Sequence, residues 1–421
     1  MTRPRDFPIE RPRVAVVGAG AAGMMAAIFA AMAGADTLLL ERTRDGGRKI
    51  LISGGGRCNI LPARVDERRF VTDSSSSTLR NMLRSWPLEE QITFFEQELN
   101  LPLVEEKESA KLFPASNRAR DVRDGLLRAA SRYGVRFLPN TSVANVAPQE
   151  PGWKIETQEG KPIETDRVIM ATGGLSVPNT GSDGRGLTVL AELGHTVHPT
   201  YPALTPIVAE PAPFAELAGV SARVTISGLD RSRHSTATGG FLFTHRGYSG
   251  PSVLDVSHVV TRSRLEGDAG ARLTVRWTGL DEAAWEVALT PEGTRTVGGV
   301  LRRELPDRLA DALAQQADVS PSRPLAQLTR DQRRRLIEML VRGSLPWTGD
   351  EGYKKAEVTG GGIDLAEIDR LTMESKIHPG LFLCGELLDA FGPIGGYNFL
   401  WAWATGRAAG RAAGQPICAS S

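Results

Sequence analysis

Residues 14–41 leave few folds open. Val14-Ala15-Val16-Val17 is an apolar run that ends at the turn Gly18-Ala19-Gly20-Ala21-Ala22-Gly23. An alanine-rich helical stretch follows, and a second apolar run, Leu38-Leu39-Leu40, closes on Glu41. This is a complete βαβ unit of the kind that holds an adenine dinucleotide. Gly18 permits the tight strand-to-helix turn, Gly20 lets the backbone approach a pyrophosphate, and Gly23 lets the helix lie close on the sheet. The helix N-terminus faces the phosphates with unpaired N–H groups and a partial positive charge. Glu41, about twenty residues past the turn, is placed to accept both hydroxyls of the adenosine ribose and to repel a 2′-phosphate, which disfavours NADP. The glycine spacing alone is weak evidence; strand, helix, second strand and acid in this order make it specific.

A chain of 421 residues exceeds what one core usually supports, so two or three domains are expected. Fifty basic side chains against 49 acidic ones give a formal charge of +1, which provides no global attraction to polyanions. Cys58, Cys384 and Cys418 form no disulfide framework, metal spacing or C-x-x-C pair, which points to a reducing cytoplasm and no metal. The start, Met1-Thr2-Arg3-Pro4-Arg5-Asp6, lacks the apolar core of a signal peptide, and Gly34 and Asp36 interrupt the longest apolar stretch, so no membrane span is expected. Cys418-Ala419-Ser420-Ser421 has the outline of a prenylation box, but Ser420 is not aliphatic and no polybasic stretch precedes it, so a frayed tail is expected.

Along the chain, Ser53-Gly54-Gly55-Gly56-Arg57-Cys58-Asn59 is too glycine-rich for a regular element and is expected against a ligand. Residues 78–99 and 120–133 read as helices, the first broken near Pro87. Short strands are expected at 135–138, 142–146 and 153–157, and the buried run Val168-Ile169-Met170 leads into Ala171-Thr172-Gly173-Gly174. From about His195 prolines cluster and short alternating strands appear at 223–226, 240–244 and 272–277, followed by two amphipathic helices at 296–316 and 329–342. The α/β texture resumes near Glu357 with the strand Leu381-Phe382-Leu383-Cys384 and a helix from about Phe399 to Ala413. This gives an α/β fold: a Rossmann-like core of the two-dinucleotide-fold type split into 1–194 and 346–421, with a β-rich plus helical insert over 195–345.

Between that last strand and helix lies Gly385-Glu386-Leu387-Leu388-Asp389-Ala390-Phe391-Gly392-Pro393-Ile394-Gly395-Gly396-Tyr397-Asn398. A strand, an acid-bearing turn, a glycine loop and a helix N-terminus suit the pyrimidine edge of a flavin, where negative charge gathers on reduction. Together with Gly-Arg-Cys-Asn at 56–59, Phe113-Pro114, the Ala171 segment, Gly181-Ser182-Asp183-Gly184, Phe243-Thr244-His245, Ser249-Gly250-Pro251 and Thr372-Met373-Glu374-Ser375-Lys376, it resembles the YhiN/BaiN-type family of FAD-dependent oxidoreductases, some of whose members are labelled aminoacetone oxidase-like. Two departures fall at the substrate end: Ile60-Leu61-Pro62 follows Arg-Cys-Asn, and Lys111-Leu112 precedes Phe113-Pro114.

The resemblance implies FAD held by the N- and C-terminal thirds, with the insert over the flavin. Gly18, Gly20, Gly23, Glu41, Arg48, Lys49, Gly385, Asp389, Gly396 and Asn398 are then expected at the cofactor. Ala21, Ala22, Arg42, Gly56, Arg57, Ala171, Thr172, Gly173, Glu386, Gly395 and Tyr397 are expected with them. No second G-x-G-x-x-G exists, so NAD(P)H would visit as a transient donor without a domain of its own. For reduction of a C=C bond, the expected catalytic groups are Cys58, Arg57, His245 and Tyr397, with Lys376 as a further cation. Cys58 is either a donor whose pKa the neighbouring cation lowers or a small packing residue; His245 is either a pocket group or a satisfied core histidine. Arg57 would clamp an anionic or carbonyl substrate or pair with phosphate. Arg302, Arg303, Arg330, Arg333, Arg334, Arg335 and Arg342, with Lys354 and Lys355, form the most basic stretch. They make either a solvated face, given interleaved acids, or a polyanion patch.

The family resemblance implies reduction of an activated C=C bond, in an enone-like small molecule or in a uracil ring of ribosomal RNA. Two alternatives stand beside it: a flavin amine oxidase that acts on a small aminoketone and makes peroxide, and a non-catalytic FAD-binding RNA or assembly module.

Overall fold

The computed structural model describes residues 11–158, 160–231, 233–267 and 270–416; the tail at 418–421 and the start at 1–6 lie outside them. Two compact units result, one made of the chain up to Thr200 and from Val358 onward, the other of Tyr201–Glu357. The breaks fall later than the 194/195 and 345/346 read from sequence texture. Past residue 345 the chain is still pairing within the second unit, where Gly349 and Asp350 ladder with Val208 and Ile207.

In the first unit, strand β1 (Arg13–Val17) is buried at four of its five positions and enters helix α1 (Ala21–Met32), which returns the chain to β2 (Asp36–Leu40). Helix α2 (Ala119–Arg132) precedes β3 (Arg136–Leu138), and β4 (Arg167–Met170) completes the first pass. All pairings are parallel: Val17 lies opposite Leu40 on one side and Met170 on the other. A parallel sheet covered on both faces needs continuous apolar strands, and Val14, Ala15, Val16, Ile169 and Leu39 are fully buried.

The second unit is built on one antiparallel sheet. Its strands are β5 (Ile207–Val208), β6 (Ser221–Asp230), β7 (Arg233–Thr244), β8 (Gly247–Ser249), β9 (Arg272–Arg276), β10 (Gly343–Ser344) and β11 (Gly349–Asp350), in the order β10-β9-β6-β7-β8-β5-β11. Helix α3 (Pro251–Leu265) packs on the inner face, where a side chain at Gly228 would meet Val259 at 3.2 Å. The sequence reading missed α3 for a physical reason. It is buried on most sides, through Val253, Val256, Val259 and Val260 but also Ser257, His258, Thr261 and Ser263, so it carries no amphipathic stripe. The single helix expected at 296–316 is two, Val297–Leu301 and Asp307–Gln316, because Pro306 takes the N-cap position of the second. Helix α4 (Arg330–Arg342) starts at a Thr329–Gln332 capping box.

His258 illustrates what that burial costs. Its Nδ1–H is committed to the Asp255 carbonyl (3.0 Å), and burial, with Arg262 and Arg233 nearby, pushes its pKa from 6.5 down to about 4. The unfolded chain therefore binds one more proton than the folded one between those values, and stability falls as pH drops from 6.5 to 4. The full loss is about 3 kcal/mol. Urea unfolding followed across that range should show the wild type losing this much relative to His258→Gln; parallel pH profiles would remove His258 from the acid response.

The chain re-enters the first unit and forms β12 (Leu381–Leu383) and helix α5 (Tyr397–Ala413), giving the five-stranded order β12-β4-β1-β2-β3. Helix α5 lies against α1 through a ridge of glycines. A Cβ at Gly406, Gly410 or Gly414 would stand 2.5, 2.2 or 2.5 Å from the carbonyl oxygens of Ala22, Ala26 and Ala30. Small residues on both helices let the backbones touch, and this draws the C-terminal segment to the mouth of the Gly18 turn.

Candidate functional site

A cleft opens at the carboxyl ends of β12, β4, β1 and β2, where open α/β sheets take ligands. Gly18, Gly20, Ala21, Ala22, Glu41, Arg42, Arg48, Lys49, Ala171, Thr172, Gly173, Gly385 and Glu386 line it, so segments from the start, middle and end of the chain meet there. The three glycines of the turn do different things. Gly18 has φ +102°, and a Cβ there would strike the Ala171 oxygen at 2.6 Å; one at Gly23 would lie 1.8 Å from the Gly18 oxygen. Gly20 is the N-cap of α1 at φ −80°, ψ −169°, a backbone any residue adopts, and no protein atom lies within 4 Å of a Cβ there. The space above Gly20 is what its missing side chain leaves open. No side chain caps α1 and its first turn holds no acid, so its leading N–H groups are open toward the cleft.

Glu41 is 8% exposed and already busy. Its Oε2 accepts from Ala19 N–H (2.8 Å), and its Oε1 accepts from Thr43 N–H (2.8 Å) and Thr43 Oγ1 (2.6 Å). A carboxylate offers about four acceptor sites. Three are taken within the chain, which leaves one. Beside it, Thr141, Ser142, Val143 and Gln158 complete the wall, and Arg42 pairs with Asp183. None of the four wall residues was singled out in the sequence, because their strands are short and carry no motif.

At the opposite end, after β12, sits a polar cluster. Lys49 Nζ donates to Glu386 Oε2 and to Ser176 Oγ, both at 2.7 Å, and Ser176 Oγ donates to Glu386 Oε1 at 2.6 Å. Thr359 N–H donates to Glu386 Oε1 (2.9 Å), while Thr359 Oγ1 accepts from the Leu175 and Ser176 backbone N–H groups at 2.7 and 3.1 Å. Lys49 and Glu386 side chains are 28% and 17% exposed, so solvent weakens the pair only in part. An ammonium has three protons and two are spent, which leaves one for a ligand. Ser176 and Thr359 were missed because nothing in a linear reading joins positions 49, 176, 359 and 386.

Several expected cofactor contacts do not line this cleft. Asp389 is 2% exposed, and its Oδ2 accepts from Thr72 Oγ1, Asp73 N–H, Ser74 N–H and Ser74 Oγ at 2.7–2.9 Å. The Asn398 side chain exchanges two hydrogen bonds with the Gly392 backbone, and a Cβ at Gly396 would lie 2.4 Å from the Leu61 carbonyl carbon. The glycines of that loop thus serve close approach to residues 61–62, while Gly395 lies over Lys111. Gly56 and Arg57 belong to an exposed loop; Arg57 pairs with Glu106 (2.9 Å) and stacks on Phe113.

Of the expected catalytic groups, Arg57, Cys58 and Tyr397 belong to the first unit and His245 to the second. Cys58 is fully buried at φ +60°, beside Ser53, and burial pushes its thiol up to about 12, the reverse of the activation expected from its neighbouring cation. Tyr397 donates its hydroxyl to the Arg64 carbonyl (3.2 Å) and accepts from Asp66 N–H (3.3 Å). His245 is exposed on the β7–β8 turn of the second unit, so it is not a core histidine. Lys376 donates to the Ala366 carbonyl. Its motif neighbour Ser375 forms a chain with His195 and Glu367, at 3.0 and 2.9 Å, that resembles a hydrolase triad. Ser375 is 5% exposed, however, and its Oγ accepts from the Ile377 and His378 N–H groups, so the chain braces this loop. Among the described residues no group of three or more His, Cys, Asp or Glu could hold a metal ion, and no helix is long and apolar enough to cross a membrane.

The model of the HI0933-like protein Rossmann domain matches residues 12–412. A 3-dehydro-bile acid delta(4,6)-reductase of Clostridium scindens is 31% identical over 413 residues, covering 96% of this chain and 99% of that protein. A ribosomal RNA dihydrouridine synthase of Escherichia coli is 31% identical over 409 residues, 94% of this chain and 96% of that one. Among solved structures, a 3-ketosteroid-delta4-(5alpha)-dehydrogenase of Rhodococcus jostii shares the fold, with a TM-score of 0.50 and 16% identity over 96% of this chain and 100% of that one.

Proposed function

The chain belongs to the HI0933-like Rossmann family, and on that premise we propose that it is an FAD-dependent reductase of a C=C bond conjugated to a carbonyl. Both relatives are named for this chemistry, one on a 3-oxo steroid nucleus and one on uridine. The observation that carries the reading is the cleft, open above Gly20 and ending in Glu41 on one side and Lys49–Glu386 on the other.

The layout favours FAD over a shorter nucleotide. Glu41 follows β2 and Glu386 follows β12, three strands away in the order β12-β4-β1-β2, a span of about 14 Å at the usual strand spacing. A ribose at Glu41 and a pyrophosphate at the start of α1 leave the Lys49–Glu386 end for the flavin. Bound and reduced, FAD supplies a hydride to the carbon β to a carbonyl, and a proton completes the addition at the α carbon. The chain's share is electrostatic and positional. The N–H groups at the start of α1 would hold the phosphates, Glu41 would fix the adenosine end, and Lys49, with one proton unspent, would stabilise the charge that gathers on flavin or carbonyl oxygen. A nicotinamide donor reaching the flavin directly, in the cytoplasm, is the electron source that needs no second nucleotide domain.

The purified protein should carry FAD. After anaerobic reduction, a 3-oxo-4-ene steroid or a uridine-containing RNA should reoxidise the flavin and gain two hydrogens by mass spectrometry. Reoxidation by oxygen alone, with stoichiometric peroxide, would replace the reductase reading with the oxidase one.

A further inference from the structure

Five arginines of the most basic stretch of the sequence are paired with neighbouring acids. On and around α4, Arg302 pairs with Asp311, Arg333 with Glu286, Arg334 with Asp331, Arg335 with Asp318, and Arg342 with both Glu282 and Glu338. Three arginines that are scattered in sequence gather instead on one sheet face. In β6 and β9, Thr225 lies opposite Arg276 and Leu229 opposite Arg272. Arg223 is two residues from Thr225, and His234 of β7 lies opposite Leu229 on the other side. These four are exposed, and strict alternation puts them all on the face away from α3, whose partners Val224, Ile226, Leu273 and Val275 are buried.

Among the described residues Arg223, Arg272 and Arg276 make no ion pair, and no Asp or Glu occupies an outward position of β6, β7 or β9. Between the arginines runs a row of hydroxyls, with Thr225 and Thr238 at 2.8 Å and Ser227 and Thr236 at 3.0 Å. By strand geometry the Cα of Arg276 lies about 8 Å from that of Arg223 and about 13 Å from that of Arg272, with Arg223 and Arg272 about 20 Å apart.

We propose that this outer face of the second unit docks the phosphate backbone of RNA. Guanidinium groups and hydroxyls are phosphate ligands, and uncompensated positive charge complements a polyanion. Among the described residues these strands present no outward Phe, Tyr or Trp, and His234 is the outward ring, so the face grips backbone with little base stacking, and it lacks the apolar and aromatic belt with which a helix enters lipid. The proposal rests on the reading of uridine in RNA as substrate. It deepens that reading by giving a large substrate a hold outside the cleft.

The test is fluorescence anisotropy of the holoenzyme with a labelled RNA hairpin bearing a uridine loop, titrated at several salt concentrations. Each phosphate contact adds about 0.7–0.9 to the slope of log affinity against log salt, so the triple variant Arg223→Gln, Arg272→Gln, Arg276→Gln should flatten it by about two to three and weaken low-salt binding at least tenfold. Arg334→Gln should leave both unchanged. Equal slopes for wild type and triple variant would overturn the proposal. So would arginine-dependent binding to phosphatidylcholine–phosphatidylglycerol vesicles without binding to RNA. Dihydrouridine measured in the same hairpin reports on the chemistry separately: arginine-dependent binding without dihydrouridine keeps the surface and overturns the uridine reading.

Discussion

Gly20→Leu should give a colourless protein with the unfolding temperature of the wild type stripped of FAD. The two halves of that result come from two properties of one position. Nothing in the chain lies within 4 Å of a Cβ at Gly20, and its φ of −80° strains no side chain, so the fold has no use for a glycine there. A leucine would instead fill the space over the start of α1, where the pyrophosphate needs the backbone N–H groups at contact distance. Loss of FAD affinity by at least a hundredfold, about 3 kcal/mol, is the expected size. Gly23→Ala is the contrast: its Cβ would lie 1.8 Å from the Gly18 oxygen, so it should damage the turn itself and lower Tm together with FAD. A yellow Gly20→Leu protein with full FAD content would place the pyrophosphate elsewhere.

The βαβ unit was legible because its constraints are local: the turn, the helix and Glu41 lie within 28 residues, and Gly18 and Gly23 each answer to a backbone neighbour. The Gly385–Asn398 loop was half legible. Gly385 and Glu386 do reach the cleft, but Gly395-Gly396 was read as an opening for ligand when Gly396 opens the backbone to residues 61–62. A glycine pair announces close approach without saying to what. Of the two readings of Cys58, burial agrees with the packing residue: the Arg57 side chain goes to Glu106 while the thiol is buried, so an arginine beside it in sequence does not lower its pKa. The arginine face of the second unit and the Lys49–Ser176–Thr359–Glu386 cluster were out of reach, since both depend on register and crossover connections that bring distant positions together.

That cluster carries the other large effect. Replacing Glu386 with Leu removes the acceptor for three donors at once, the Lys49 ammonium, the Ser176 hydroxyl and the Thr359 N–H. Each is partly or fully shielded, with Ser176 and Thr359 at 0% and 1% exposure, so water repays little. A destabilisation of about 3 kcal/mol is expected, with loss of bound FAD through gel filtration. Lys49→Met in the same chain removes the stranded charge and should restore about 1–2 kcal/mol, a coupling that independent sites would not show. Glu386→Gln separates support of the fold from tuning of the flavin. The amide oxygen still accepts from Thr359 and Ser176, but the amide nitrogen faces the Lys49 ammonium and cannot accept from it, so Tm should fall less than in Glu386→Leu, and the cleft gains one positive charge beside the flavin end. Reduced flavin, the more negative form, is then favoured, and the midpoint potential should rise by about 30 mV, or about 1.4 kcal/mol for a two-electron couple. An unchanged potential in Glu386→Gln, with FAD still bound, would mean that the isoalloxazine lies away from Lys49 and that the cofactor runs through the cleft in another direction.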